Sequence, residues 1–502
     1  MRTEPGGRGL AGRLFARLHD PRFILWWSAA WALGVMALAP LVNYLTPFLD
    51  PGYANYWTPD IYWRLVMYWH GGVFIPWITA MAVLVSMRFR LDSMPGRAGR
   101  LVRESVFVGG FFAVPLAGLA GLFDVYDHFA LGVPLWAQIG AFLIGDEMAI
   151  ALLIALAVSP RTRGWSFRKA GMPYYTILTG VFGALFAAFM GHAGGWISWF
   201  GPSPQVYAQY INATMYPVLG YYNDTAVQTF AGDVVGSHSH LMLVALMAGV
   251  VALVALTFGY EKWSRGAKRV ADFGFAVMAL SLVTAIWLYV VSGMGNYPIP
   301  TFFSSGLNGI AGDDLVTGAV GFGAIFVLAG LLMHSRRATT KEGKLLHRDP
   351  LFLSVVASWV TIYLVIPVTG YYIELHQDFY SSAGAVFDAV FTRFHQDFGF
   401  FLLPALVTLL LALESFGVSG RLRRYLGYLT MAGVAMAFVF GETYALATAT
   451  VSPTDLGQTA APLSAGGLTL YLAVFGGVLI GVGVLVAAMY LRSAKTPSIK
   501  ES

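Results

Sequence analysis

Four histidines in apolar segments have the residue type and placement to ligate a metal. His70, His238 and His240 lie about ten residues into their segments, and His395 lies slightly less deep. At ~1.5 Å of helix rise per residue, all four fall in one layer within roughly 10–18 Å of the outer surface. An ionisable residue inside a bilayer is costly and therefore functional by default. A neutral imidazole can supply an axial bond to haem iron while its other N–H meets an acceptor.

Two arginines accompany these histidines. Arg64 lies six residues before His70, and Arg393 lies two residues before His395. They are the only two of the 31 Lys and Arg residues that fall on the outer side of the topology derived below. A guanidinium fork suits the propionate carboxylates of a haem at that rim. The alternative is that each Arg extends to lipid phosphate.

The sequence Gly236-Ser-His-Ser-His-Leu-Met places His238 and His240 two residues apart. At 3.6 residues per turn their side chains leave an α-helix about 200° apart, so one metal cannot easily bind both. Either they serve two centres on opposite faces of the helix, or one is a ligand and the other bonds to a neighbouring helix. Substrate reduction, if it occurs, is expected at the metal centre that His238 and His240 serve. These two histidines are therefore the candidate catalytic residues.

Other ionisable residues have several interpretations. His192, in MGHAGGWISWFG, either ligates a metal, supports a ligand or is simply capped. Carboxylates inside apolar segments either carry protons toward a buried redox site or pair with backbone or His partners between helices. These acids are Asp146, Glu147, Asp313, Asp314 and Glu442.

Composition identifies the elements that must position these residues. The chain of 502 residues is 57% hydrophobic and 11% charged, whereas a soluble domain carries roughly 25% charged residues. Its mean hydropathy is +0.66. We predict an all-α, polytopic membrane protein with a single domain over 1–502. Twelve apolar segments are long enough to cross a bilayer: 23–45, 60–87, 104–123, 133–158, 172–199, 228–258, 270–293, 308–334, 350–372, 388–413, 425–448 and 465–491.

Charge asymmetry sets the predicted orientation. Basic residues cluster in 1–22 and after every even segment, whereas the other side is almost bare of them. Positive loops face the cytoplasm, so both termini, including the tail 493–502, are predicted to be cytoplasmic in the cell (inner) membrane. The net charge of +5 reflects these loops and their contact with lipid, not nucleic-acid binding.

An internal repeat divides the twelve segments into three units of four helices. His70, His238 and His395 are separated by 168 and 157 residues, and Gly-started motifs at Gly145, Gly312 and Gly466 by 167 and 154. Two independent series thus share nearly the same period. The alternative is that apolar helices align in this way by chance.

The chain has no cysteine. This excludes disulfides, thiolate metal sites, iron–sulfur clusters and a covalently attached c-type haem on this chain. Any metal must use His, Met, carboxylate or Tyr ligands.

The sequence resembles the catalytic subunit of haem–copper oxidases and the related nitric oxide reductases. The segment Asp60-Ile-Tyr-Trp-Arg-Leu-Val-Met-Tyr-Trp-His70-Gly-Gly-Val-Phe-Ile-Pro-Trp is similar to that family's second helix, where a His-Gly sequence ligates a low-spin haem. The resemblance implies that His70 and His395, in the tenth segment, are its two axial ligands. It assigns His238 or His240, in the sixth, to the second metal, non-haem iron or copper.

The sequence also departs from that family. The seventh segment, FGFAVMALSLVTAIWLYVV, lacks the His pair that completes the second metal site, and His-x-His occurs in the sixth segment instead of the tenth. A copper site with three imidazoles is therefore not predicted. One or two b-type haems remain the expected cofactors.

Three functions follow from these residues. The first is a haem-binding oxidoreductase that passes electrons from a quinol, cytochrome or donor subunit to dioxygen or nitric oxide. The second is a non-catalytic b-type cytochrome subunit of a membrane complex. The third is a secondary transporter in which His and Asp relay protons.

Overall fold

The computed structural model describes residues 17–49, 70–126, 133–162, 171–200, 225–291, 312–365, 399, 401–448 and 468–493. In this part of the chain 91% of the residues are helical and none lies in a strand. Nine helices among these residues are long and apolar enough to cross a membrane. The prediction of an all-helical, multi-pass membrane protein is therefore confirmed.

Each predicted apolar segment contains a helix, labelled here in chain order. They are α1 (Pro21–Leu49), α2 (Ile75–Phe89), α3 (Gly110–Tyr126), α4 (Val133–Thr162), α5 (Met172–Phe200), α6 (Thr225–Thr257), α7 (Arg265–Val291), α8 (Gly312–Ser335), α9 (Pro350–Val360), α10 (Leu403–Ser415), α11 (Gly420–Thr448) and α12 (Leu468–Ser493).

Among the described residues, four of these helices adjoin π-helical turns. His70–Phe74 leads into α2, Arg103–Gly109 joins the short helix Gly96–Val102 to α3, and Thr361–Val365 continues α9. Residues 399, 401 and 402 are π-helical and precede α10. The helical segment that ends in α3 consequently begins at Gly96, earlier than the predicted boundary at residue 104. The hydropathy pattern missed this first turn because its arginines interrupt the apolar run.

Helices α2, α6 and α10 pack against one another and form the interior of the bundle. The indole Nε1 of Trp77 on α2 donates to Oγ1 of Thr408 on α10 at 3.0 Å, and both groups are buried. Tyr363, in the π-helical turn after α9, donates its hydroxyl to the carbonyl of Met247 on α6 at 2.7 Å. These bonds satisfy buried polar groups and fix the register of the inner helices.

The packing between the other helices repeats along the chain. Helix α1 packs against α3, α5 against α7 and α9 against α11, while α3–α4, α7–α8 and α11–α12 are adjacent pairs. Of the inner helices, α2 also contacts α4, α6 contacts α8 and α10 contacts α12. Helix α12 in turn packs against α1.

Glycines permit the closest helix contacts. A Cβ built at Gly274 on α7 would lie 2.3 Å from the carbonyl oxygen of Gly323 on α8. A Cβ at Gly476 on α12 would lie 2.4 Å from the backbone nitrogen of Ala437 on α11. Small residues that let backbones approach are typical of helix pairs in membranes.

A buried ion-pair network connects the ends of α9, α10 and α11. Arg423 is 5% exposed, and its Nε donates to Oδ2 of Asp349 at 2.8 Å, while its Nη1 donates to the carboxylate of Glu414. Asp349 also caps α9 by accepting from the backbone N–H of Phe352 at 3.0 Å. Because charged groups inside a protein lose their hydration, each member of this network depends on its partners.

An exposed carboxylate lies beside that network. Glu342 accepts the backbone N–H of Gly420, at the start of α11, and an ammonium hydrogen of Lys344 at 3.2 Å. The Gly420 hydrogen bond, followed by the one from Lys344, lowers the pKa of the Glu342 carboxyl.

Candidate functional site

His70 begins the π-helical turn that leads into α2. Its ring lies 5.4 Å from that of Phe74 and 5.2 Å from that of Phe401, measured between centroids, with Phe401 edge-on. Phe401 is 1% exposed. Pro76 has no N–H to donate into this turn, so the α-helical hydrogen-bond ladder is interrupted there. Single π turns often occur at functional sites.

Two glycines after His70 hold its turn close to neighbouring helices. A Cβ at Gly71 would lie 2.1 Å from the carbonyl oxygen of Ala117 on α3, and one at Gly72 would lie 2.1 Å from Cγ1 of Val35 on α1. No other residue fits at these positions without moving a helix. The His-Gly-Gly sequence therefore fixes the height and rotation of His70 in the bundle.

An apolar cavity extends from the first turn below His70. It lies between α1, α2, α10 and α12, and its lining includes Ser28, Val73, Trp77, Leu406 and Val484. The hydroxyl of Ser28 is buried and has no hydrogen-bond partner within the part of the chain that the structure describes. The cavity holds about 50 Å³ and reaches Val73, three residues after His70, but His70 itself does not line it.

His238 is held by a hydrogen bond between helices. Its Nδ1 lies 2.8 Å from the carbonyl oxygen of Ala187 on α5. Because a carbonyl only accepts, Nδ1 carries the hydrogen, and in the neutral ring Nε2 keeps its lone pair. A hydrogen bond from one ring nitrogen to a backbone carbonyl is how metal-ligating histidines are oriented.

Gly191 on α5 accommodates the His238 ring. A Cβ at Gly191 would lie 2.5 Å from Nδ1 and 2.6 Å from Cε1 of His238. The imidazole therefore lies directly on the glycine backbone, in space that any other side chain would occupy. Glycine at this position is needed for the contact between the two helices, not for a turn.

His192 and Asp146 form an intramembrane pair. Nε2 of His192 on α5 lies 2.6 Å from Oδ2 of Asp146 on α4, and the two side chains are 30% and 15% exposed. The charges of both residues act on the ring of His238. Asp146 thus pairs with a His between helices, and this pairing is compatible with a proton shared by the two side chains. The neighbouring Glu147 instead accepts from Oγ of Ser105 at 2.9 Å.

His240 lies on α6, half-buried, two residues after His238. The helix is continuous over Thr225–Thr257, so the two side chains leave its axis about 200° apart. This geometry agrees with the expectation that the two histidines cannot share one metal.

Several predicted site residues lie outside the described part of the chain, namely Arg64, Arg393 and His395. Phe401 follows His395 by six residues and its ring contacts that of His70, so the π-helical turn before α2 lies against the tenth segment at Phe401. Among the residues described, no group of three or more His, Cys, Asp or Glu side chains is placed to hold a metal ion.

Sequence reasoning missed the neighbours of the histidines. Neither Ala187 nor Phe401 has a side chain that could have marked it, and Gly191 is one of five glycines in α5, so its contact with His238 gave no sequence signal either. In comparisons with known proteins no family model matches the chain, and no curated protein or solved structure matches it significantly.

Proposed function

We propose that this chain is a haem-binding membrane oxidoreductase that passes electrons to dioxygen or nitric oxide, like the catalytic subunit of haem–copper oxidases. One observation carries the proposal. His70 and His238 lie on inner helices that contact each other, and each precedes the last residue of its helix, Phe89 and Thr257, by 19 residues. At ~1.5 Å per α-helical residue, the imidazole of His238 stands about 28 Å above Thr257, and the imidazole of His70 stands at a similar height above Phe89, with the π-helical turn His70–Phe74 on its path.

The donor chemistry of the site fits a haem. His238 presents the lone pair of Nε2 when its ring is neutral, because Nδ1 is committed to Ala187. The ring of His70 lies against two aromatic rings, those of Phe74 and Phe401. Neutral nitrogen donors in apolar surroundings are what non-covalent haem requires.

The proposed ligand set is the one expected from the sequence. His70 and His395 would hold a low-spin b-type haem, with Arg64 and Arg393 at its propionates. His238 and His240 would serve a second haem or a second metal, non-haem iron or copper. The bound groups would supply one-electron transfer and, at an open coordination position, reduction of the gas. The chain's contribution is to orient the imidazoles and exclude water.

We also propose twelve membrane crossings in three four-helix units, with both termini cytoplasmic in the cell (inner) membrane. The recurring packing of the helices supports three units, since the same pairs occur within each group of four and the last helix returns to α1. The basic clusters support the orientation. A quinol, a cytochrome or a donor subunit would deliver the electrons.

One observation favours a second candidate, a proton-coupled secondary transporter. The Asp146–His192 pair lies inside two membrane-spanning helices, where ionisable residues often relay protons. A transporter would be colourless, so the two candidates separate spectroscopically.

The experiment is the optical spectrum of the purified full-length chain. A haem protein gives a Soret band that shifts on reduction, and carbon monoxide then shifts it again if one haem has an open position. No second shift would indicate a b-type electron-transfer subunit, and no Soret band would refute the haem proposal.

Substitutions locate the ligands. His70→Ala and His238→Ala should each lower the bound haem or metal content. His334→Ala is the matched control, because its ring stacks on Trp263 at 5.5 Å, beyond the end of α6 that lies 19 residues after His238. Unchanged content in both ligand variants would show that the assignment is wrong.

A further inference from the structure

We propose that Asp146 and His192 form a proton-binding site within the membrane, and that it takes up one proton when an electron reaches the centre held by His238. The proton-binding part stands without the function proposed above. The coupling to an electron rests on that function.

The geometry of the pair supports a shared proton. The 2.6 Å between Nε2 and Oδ2 is short for a hydrogen bond between nitrogen and oxygen, as charge assistance makes it. When the pair holds one proton between the carboxylate and the imidazole, its net charge is zero. When that proton leaves, the carboxylate is charged, the imidazole is neutral and the net charge is −1. An apolar setting penalises net charge, so a change of nearby charge shifts the balance between these two states.

Partial exposure gives the proton a route. The His192 side chain is 30% exposed, and that of Asp146 is 15% exposed. On His238, Nδ1 is bonded to Ala187 and the ring lies against Gly191. The partial exposure of Asp146 and His192 thus gives a proton a surface at which to reach the pair.

Few other ionisable groups surround the pair. On α6, His238 interacts with it electrostatically and His240 follows two residues later. On α4, Glu147 turns to Ser105 of the segment before α3. On α7, which packs against α5, no Asp, Glu, His, Lys or Arg follows Asp272. Helix α2, which packs against α4, is preceded by His70, and α3, which also packs against α4, contains Asp124. Among the described residues, His238 is the candidate ligand on which the charges of the pair act.

The coupling has a defined sign. One electron from the quinol or cytochrome donor adds a negative charge at the centre on His238, and that charge stabilises one proton, drawn from water, on the pair. When the electron leaves, the same proton returns to water. The midpoint potential of that centre should therefore fall as the pH rises, by up to about 59 mV per pH unit for one proton per electron.

The first test needs no bound cofactor. A pH-difference infrared spectrum of the full-length protein should contain carboxyl and imidazole bands that appear over the same pH range. Asp146→Asn should remove the carboxyl band and shift the pH at which the imidazole bands of His192 appear, because the imidazole loses the carboxylate that shares its proton. Glu147→Gln is the matched control, because it removes the adjacent carboxyl, and it should leave both sets of bands unchanged. Imidazole bands that appear at the same pH in Asp146→Asn as in the wild type overturn the proton site.

The second test is a redox titration of the centre that His238→Ala removes. Its potential should depend on pH in the wild type and in Glu147→Gln, and the slope should be lost in Asp146→Asn. An unchanged slope in Asp146→Asn overturns the coupling. Absence of any redox centre overturns both the proposed function and the coupling, while the infrared result still decides whether the pair binds a proton.

Discussion

Replacing Gly191 by alanine tests the placement of His238 directly. The new Cβ would lie 2.5 Å from Nδ1, whereas ordinary contacts at a Cβ are 3.4–4 Å, so the ring must move by about 1 Å. That movement breaks the 2.8 Å hydrogen bond to Ala187. Overpacking and a lost buried hydrogen bond together cost about 2–4 kcal/mol.

Two measurements follow from this magnitude. If His238 ligates a haem or metal, the affinity of Gly191→Ala for that group should be lower than that of the wild type, because the displaced ring loses the Ala187 hydrogen bond that orients it. Thermal unfolding measures the same strain without any cofactor. In a His238→Ala background the clash is removed, so Gly191→Ala should then cost almost nothing.

The control is Gly140→Ala on α4, where a Cβ has nothing within 4 Å. Alanine in that helix should be neutral or stabilise the protein by about 0.5–1 kcal/mol, because it loses less backbone entropy than glycine. Equal costs of Gly191→Ala in the wild-type and His238→Ala backgrounds would refute the placement of the imidazole on Gly191.

Three further predictions concern stability. Gly476→Ala should destabilise the α11–α12 contact by about 1–3 kcal/mol, while Gly477→Ala, with nothing within 4 Å of its Cβ, should not; thermal unfolding compares them. Asp349→Ala should cost about 3–5 kcal/mol in chemical unfolding, because it leaves the guanidinium of Arg423 buried with one partner fewer. The pKa of Glu342 is lowered, so its stabilisation of the start of α11 should be present above roughly pH 4.3 and be lost as the pH falls through the lowered pKa, as amide exchange would report.

Each of these predictions has a contrary outcome. Equal unfolding temperatures for the two α12 glycine variants would mean that the helices are further apart than described. An Asp349→Ala variant as stable as the wild type would mean that Glu414 alone compensates Arg423. The Gly420 amide hydrogen exchange rate could depend on pH in the same way in Glu342→Gln as in the wild type. That result would mean that the Glu342 carboxylate does not accept the Gly420 N–H.

Sequence determined the membrane class, the approximate helix positions and the presence of ionisable residues inside the spans. It could do so because hydropathy and the 3.6-residue period are local properties, and because burial of polar groups in a bilayer restricts the chain to helices. The positions of His70 and His238 relative to the ends of α2 and α6 follow from residue counting alone.

Only the tertiary structure decided which residues these histidines meet. Asp146 and His192 are 46 residues apart, and Ala187 and His238 are 51 apart. Apolar helices that are hydrophobic over most of their surface give no sequence signal of how far each is rotated about its axis. Close packing at residues such as Gly71 and Gly191 sets the rotation of each helix. That rotation determines that His238 faces the carbonyl of Ala187, whereas His192 faces the carboxylate of Asp146.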